Sequence, residues 1–194
     1  MEKEEINQKI LILIEDEKNF SKEFKTLIFQ CDINVQDKSS WNGLTPMMYL
    51  LKWNHKKNIH IGKEKMTQLF SQVNVSIEDH WGYNFFHYFL LNKKKIMVEN
   101  EIIQKLWENS SQKIKEKTFL KAVKDFQRMD KQIKTSALTI ILYIIKDLNF
   151  HLNKKIEKKI KNMEIMTIIK NYQLYQSMKN DLMKKIGMIK KNKI

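Results

Sequence analysis

Two eleven-residue stretches of the chain are near copies of each other. LIFQCDINVQD occupies 27–37 and LFSQVNVSIED occupies 69–79. Aligned, Leu27 meets Leu69, Gln30 meets Gln72, Cys31 meets Val73 and Asp32 meets Asn74. Ile33 then meets Val75, Asn34 meets Ser76 and Asp37 meets Asp79. Each copy is followed by tryptophan and glycine, Trp41 and Gly43 in the first and Trp81 and Gly82 in the second. The period is 42 between the aspartates and 39 between the glycines, because the first copy carries three extra residues around Ser39-Ser40-Trp41. One supersecondary unit repeating at such a period predicts a stacked array.

Between and around the copies the apolar residues fall at helical spacing. Ile6, Ile10, Leu13 and Ile14 mark one helical face, and Phe20, Phe24, Leu27 and Ile28 mark a second after a break at 16–19. Thr45-Pro46 is a helix start: threonine caps the free amides, and proline stands where its missing N–H costs nothing. Met47, Leu50 and Leu51 follow on one face, and a loop at 58–63 leads to a helix from Lys63 with Met66, Leu69 and Phe70 inward. After Gly82, Asn84 is the next cap, and Phe85, Phe86, Phe89 and Leu90 open a further helix. A partner helix runs over 99–107 with Ile102, Ile103 and Leu106. A fainter third copy, LKAVKDFQRMD at 120–130, places Leu120, Asp125, Gln127 and Asp130 in equivalent positions but lacks the glycine. The run ALTIILYII, 137–145, is half the length of a bilayer span and reads as a buried helix.

The unit resembles the ankyrin repeat. The first copy carries Asp32, Asn34, Asp37, Gly43, Thr45 and Pro46 of that family's pattern, and the second carries Asp79, Gly82 and His87, with Phe86 where leucine is usual. The resemblance implies an all-α fold: an ankyrin-like helical repeat stack with short hairpin loops and C-terminal amphipathic capping helices. Its units would lie near 5–31, 32–72, 74–108 and 125–168, the last running past the end of a repeat domain placed at 1–150, with lysine-rich helices at 151–194. It also implies a concave face that binds proteins, and no catalysis. Leu50, Phe89 and Ile140 stand where the family has a small residue, so an irregular stack is expected.

Charge matters in the last fifth of the chain. From residue 151 onward there are twelve lysines and three acids, a net +9 out of +14 overall. Two stripes there, Ile156/Ile160/Met163 and Ile168/Ile169/Tyr172/Tyr175, continue through Met178, Leu182, Ile186 and Ile189. They predict two long lysine-rich amphipathic helices over 151–194. Such helices either cap the array or meet an acidic partner: nucleic acid, an anionic membrane surface or an acidic protein. Against base reading, Arg128 is the only arginine among 36 basic residues. The first residues lack the order of a secretory signal, which sets the expected location as cytoplasmic, with a nuclear or host-cell site open.

Candidate chemistry is thin. No phosphate-cradle, zinc-protease or nucleophile-elbow motif occurs, and the expectation is no catalytic residue, no cofactor and no metal. His55 and His60 have metal-compatible spacing but nothing converges with them. His87 reads as a structural hydrogen-bonding residue, and Cys31 as a small core residue. The partner-binding candidates are Trp41, Asn42, Trp53, His80, Trp81 and Tyr83, at or near the hairpin tips, with Trp81 and Tyr83 alternatively packed between hairpins. Trp107 belongs to the core. The sequence thus points to a non-enzymatic protein–protein interaction module: an adaptor, a complex subunit or an effector. The alternative is a nucleic-acid or anionic-surface binder acting through the basic C-terminal helices.

Overall fold

A computed structural model of the chain describes residues 2–15, 22–57, 61–92, 100–127, 131–148, 150, 152, 154–160, 164–172 and 174. The fold is all-α, with no strand among the described residues. Two compact units divide it, Met1–Phe150 and His151–Ile194. The first contains α1 (Lys3–Glu15), α2 (Lys22–Leu27), α3 (Pro46–Lys57), α4 (Lys63–Ser71), α5 (Phe85–Asn92), α6 (Asn100–Glu108), α7 (Gln112–Phe126) and α8 (Lys131–Lys146). Helix α1 packs on α2 and α3, α3 on α5, and α5 on α8, which forms one row; α4 packs on α6, and α7 packs on α5 and α8.

The two eleven-residue copies share one hydrogen-bond pattern. The Gln30 N–H donates to Leu27 O and the Gln72 N–H to Leu69 O. Val35 N–H donates to Asp32 O as Ile77 N–H does to Asn74 O. The Asp32 carboxylate accepts from Asn34 N–H at 2.9 Å, and Asn74 Oδ1 accepts from Ser76 N–H at 3.1 Å. Such short side chains bond their own backbone two residues on, which stops a helix and starts a turn.

The copies are also tied to each other through equivalent atoms. The Asp32 N–H donates to Asn7 Oδ1 at 2.8 Å, and the aligned Asn74 N–H donates to Asn34 Oδ1 at 2.7 Å. Asn34 Nδ2 in turn donates to Gln72 O at 2.8 Å, and Gln36 Nε2 reaches Glu78 O at 2.7 Å. Asparagine suits this bridge because one amide both donates and accepts across the gap.

The tips differ by the three extra residues, and Ser40 absorbs the difference. In the second hairpin the Gly82 N–H donates directly to Asp79 O at 3.0 Å, beside an antiparallel bridge between Glu78 and Asn84. In the first, the Gly43 N–H donates to Ser40 Oγ at 3.0 Å and the Ser40 hydroxyl donates to Asp37 O at 2.9 Å. Both glycines have positive φ, 60° and 78°, a region most side chains avoid. At Gly43 a Cβ would also lie 2.6 Å from His80 Cδ2, so the second tip packs directly on the first.

Caps follow the tips. Thr45 Oγ1 accepts the Met48 N–H at 3.2 Å, and Asn84 Oδ1 accepts the Phe86 N–H at 3.1 Å. Asn84 N–H donates back to His87 Nδ1 at 3.1 Å, so histidine takes the place that Glu or Gln holds in a capping box. The core threads through both layers as aromatic pairs: Phe24–Tyr49 at 5.0 Å, Phe70–Phe85 at 5.1 Å and Phe86–Trp107 at 5.0 Å. Trp107 is buried, and Cys31 is a core residue whose thiol burial pushes up to about 12.

The third copy is a correction. Leu120 to Phe126 are helical, the C-terminal half of α7, and Asp125 is a buried helix residue, not a turn acceptor. Phe119, Ala122, Val123 and Phe126 line one face of α7 at i, i+3, i+4 and i+7, and the Ser111 hydroxyl caps its start by accepting the Ile114 N–H. A helical hydrogen-bond ladder over those residues leaves no room for the loop of the first two copies.

In the second unit α9 (Lys154–Lys159) and a helix over 164–172 bury Ile156, Ile160, Ile165 and Ile169. Helix α9 is short where a long helix is expected, ending on a tightened bond from the Ile160 N–H to Glu157 O. The expected helix beyond 174 lies outside the described residues, as do the side chains of His55 and His60. No helix among the described residues is long and apolar enough to cross a membrane.

Candidate binding surface

Stacked tips bring Trp41 and Trp81 together. Their rings meet edge to face, centroids 5.7 Å apart at 75°, yet Trp41 remains 54 % and Trp81 45 % exposed. An edge-to-face indole pair contributes about 0.5–1.5 kcal/mol beyond its area, far less than burying both rings would. The ammonium of Lys52 on α3 lies 5.9 Å from the Trp41 ring. His80 is exposed between the two tips, and its N–H donates to Asn42 O at 3.3 Å.

The other candidates fall elsewhere. Asn42 is fully buried, so it supports the surface without forming it: Oδ1 accepts the Leu44 N–H at 3.0 Å inside the loop. Trp53 follows Lys52 on α3, half-buried with its ring 6.1 Å from Tyr49. Tyr83 turns inward. Its ring lies 5.3 Å from His87, with the Lys121 ammonium 3.7 Å above it.

Behind Tyr83 lies a polar cluster that the sequence pattern did not reveal. Asp79 is buried, accepting from the Trp81 and Tyr83 N–H groups at 2.9 and 2.8 Å and from the Tyr88 hydroxyl at 2.5 Å. Burial raises its carboxyl pKa, while those donors and Lys121 pull the other way. Lys121 Nζ is bidentate on Asp125, at 2.7 and 2.8 Å, and Lys117 pairs with Glu78. At the outer tip, Asp37 is held below the usual carboxylate range, chiefly by the Ser39 hydroxyl and then the Ser39 N–H.

His87 is buried and joins α5 to α7. Nδ1 accepts the Asn84 N–H, so Nε2 carries the proton and donates to Thr118 O at 3.1 Å. Asn84 Nδ2 donates to Thr118 Oγ1 at 2.7 Å, which completes the link. Burial, and then the neighbouring Lys121 charge, pushes the His87 pKa down to about 4. No group of three or more His, Cys, Asp or Glu placed to hold a metal occurs among the described residues.

No known protein family, curated protein or solved structure matches the chain.

Proposed function

We propose that the chain is a non-enzymatic protein-interaction module, a short and irregular array of ankyrin-like units that offers Trp41 and Trp81 to a protein partner. One observation carries the reading: two adjacent, exposed tryptophans held in contact by loops whose backbone is otherwise tightly bonded. Tryptophan is enriched among residues that dominate interface energy, because a rigid ring covers much area at low entropic cost. The asparagine bridges and glycine corners beneath the pair limit the ordering that binding would require.

Trp41→Ala combined with Trp81→Ala is expected to abolish capture of the partner by the full chain in extracts of its native source. The same change should lower the unfolding free energy by only about 1 kcal/mol, since both rings are largely exposed. Pull-down with mass spectrometry, alongside denaturant unfolding, checks both halves. Capture that survives the double change but fails when Lys184, Lys185, Lys190, Lys191 and Lys193 become glutamine would move the function to the basic C-terminal segment. Retention on nucleic acid that falls steeply with salt would point the same way.

A further inference from the structure

We propose that Asn42-Gly43 is a site of slow, spontaneous deamidation that the stacked tips hold in check, and that isoaspartate formed there parts the tips. It is the only Asn-Gly pair in the chain. Glycine after asparagine is the most labile context for this reaction, since no side chain shields the glycine nitrogen. The Gly43 nitrogen loses its proton and attacks Asn42 Cγ. A Cγ–N bond forms, and the Cγ–Nδ2 bond breaks to release ammonia. Water then opens the cyclic imide at either carbonyl, giving aspartate or isoaspartate.

Packing demands the glycine: its φ is 60°, and a Cβ there would lie 2.6 Å from His80 Cδ2. The same loop ties up both reacting groups. The Gly43 N–H donates to Ser40 Oγ at 3.0 Å, and Asn42 Oδ1 accepts the Leu44 N–H at 3.0 Å. Asn42 is fully buried, which keeps out the water that the reaction needs. Nδ2, the leaving nitrogen, has no hydrogen-bond partner among the described residues, so its departure breaks no hydrogen bond. The reaction therefore waits on opening of the tip.

The product forms where the two tips meet. Asn42 O accepts the His80 N–H at 3.3 Å, and Gly43 lies against the His80 ring. In isoaspartate that carbonyl becomes a carboxylate, and the link to Gly43 runs through Cβ and Cγ, one atom longer. The added charge falls where the amide is fully buried. Gly43 is displaced from its fit against His80, and Trp41 moves off Trp81. The step is irreversible, so a tip once parted in this way stays parted. The inference stands on the geometry of the tips, whatever partner covers the tryptophans.

Ageing of the full chain tests it, with conversion read by mass spectrometry of the tryptic peptide 39–52 and by isoaspartyl methylation. In native buffer, conversion is expected to run about a hundredfold slower than in guanidinium, following the population of the open tip. Ser40→Ala releases the Gly43 N–H and should speed native conversion about tenfold, the worth of one buried hydrogen bond, without changing the guanidinium rate. His80→Ala, at an exposed position and so tolerant, should speed it as well. Isoaspartate chains, separated by their added negative charge, should keep their helical circular dichroism. They should lack the indole cross-peaks between Trp41 and Trp81 that the unaged chain shows. Equal rates in native buffer and guanidinium, or native rates that neither substitution changes, would overturn the proposal. So would isoaspartate chains that keep the indole contact or lose the helical fold altogether.

Discussion

Phe86→Ala is expected to lower the unfolding free energy of the chain by about 3–5 kcal/mol, enough to unfold much of a marginally stable population. Phe86 is fully buried, with its ring 5.6 Å from Phe85 and 5.0 Å from Trp107. Trp107 leans in turn on Phe150, at 5.8 Å, and Phe150 on Phe119, at 5.4 Å. The side chain therefore joins α5 to α6 and, through Phe150, to α7. Truncation leaves a void that rigid rings on several helices cannot close, so the transfer cost and the cavity cost add. Urea unfolding followed by circular dichroism measures the loss. A loss below about 1 kcal/mol would be the behaviour of an exposed residue and would contradict the packing described.

Lowering the pH from 7 to 4 should cost about 3 kcal/mol of stability through His87 alone. The histidine has a pKa near 6.5 when unfolded and about 4 when folded. Between those values the unfolded chain binds a proton that the folded chain refuses. The stabilisation is therefore complete above pH 6.5 and is lost as the pH falls toward 4. Asp79 acts in the opposite direction. Its raised pKa means that the folded chain takes up the proton first, which offsets part of the loss at the acid end. His87→Gln separates the two. Glutamine is a normal capping-box residue at this position and does not titrate. Thermal melts of that variant across pH 4–7 should show a flattened profile. A profile as steep as that of the unsubstituted chain would assign the acid sensitivity to another group.

Much of the first two layers was legible because the copied residues do local work. Asp32, Asp37, Gly43, Asn74, Asp79 and Gly82 bond their own backbone or take positive φ, so their identity and spacing describe the turn directly. The helix starts at Pro46 and Phe85 were readable for the same reason: their caps are adjacent in sequence. Helix α7 was not legible from that template. Leu120, Asp125 and Gln127 match the copied letters by coincidence of type, while the apolar spacing of Phe119, Ala122, Val123 and Phe126 carries the helical signal. At the surface, Trp41, His80 and Trp81 could be placed because tips follow from turns. Asn42 and Tyr83 could not: Asn42 turns in to bond the Leu44 N–H of its own loop, and Tyr83 turns toward Lys121 of α7, far away in sequence. The buried link of His87 and Asn84 to Thr118 was beyond reach too, being assembled between the second hairpin, α5 and α7.

Stacked, equivalent tips that hold two tryptophans in contact are the centre of this account, and a solution NOE spectrum of the full chain measures that contact directly. Cross-peaks are predicted between the indole protons of Trp41 and Trp81, whose rings are 5.7 Å apart, and between the His80 ring and the Gly43 α-protons. Absence of both in the folded chain, with either indole instead in contact with core residues such as Phe70 or Trp107, would contradict it.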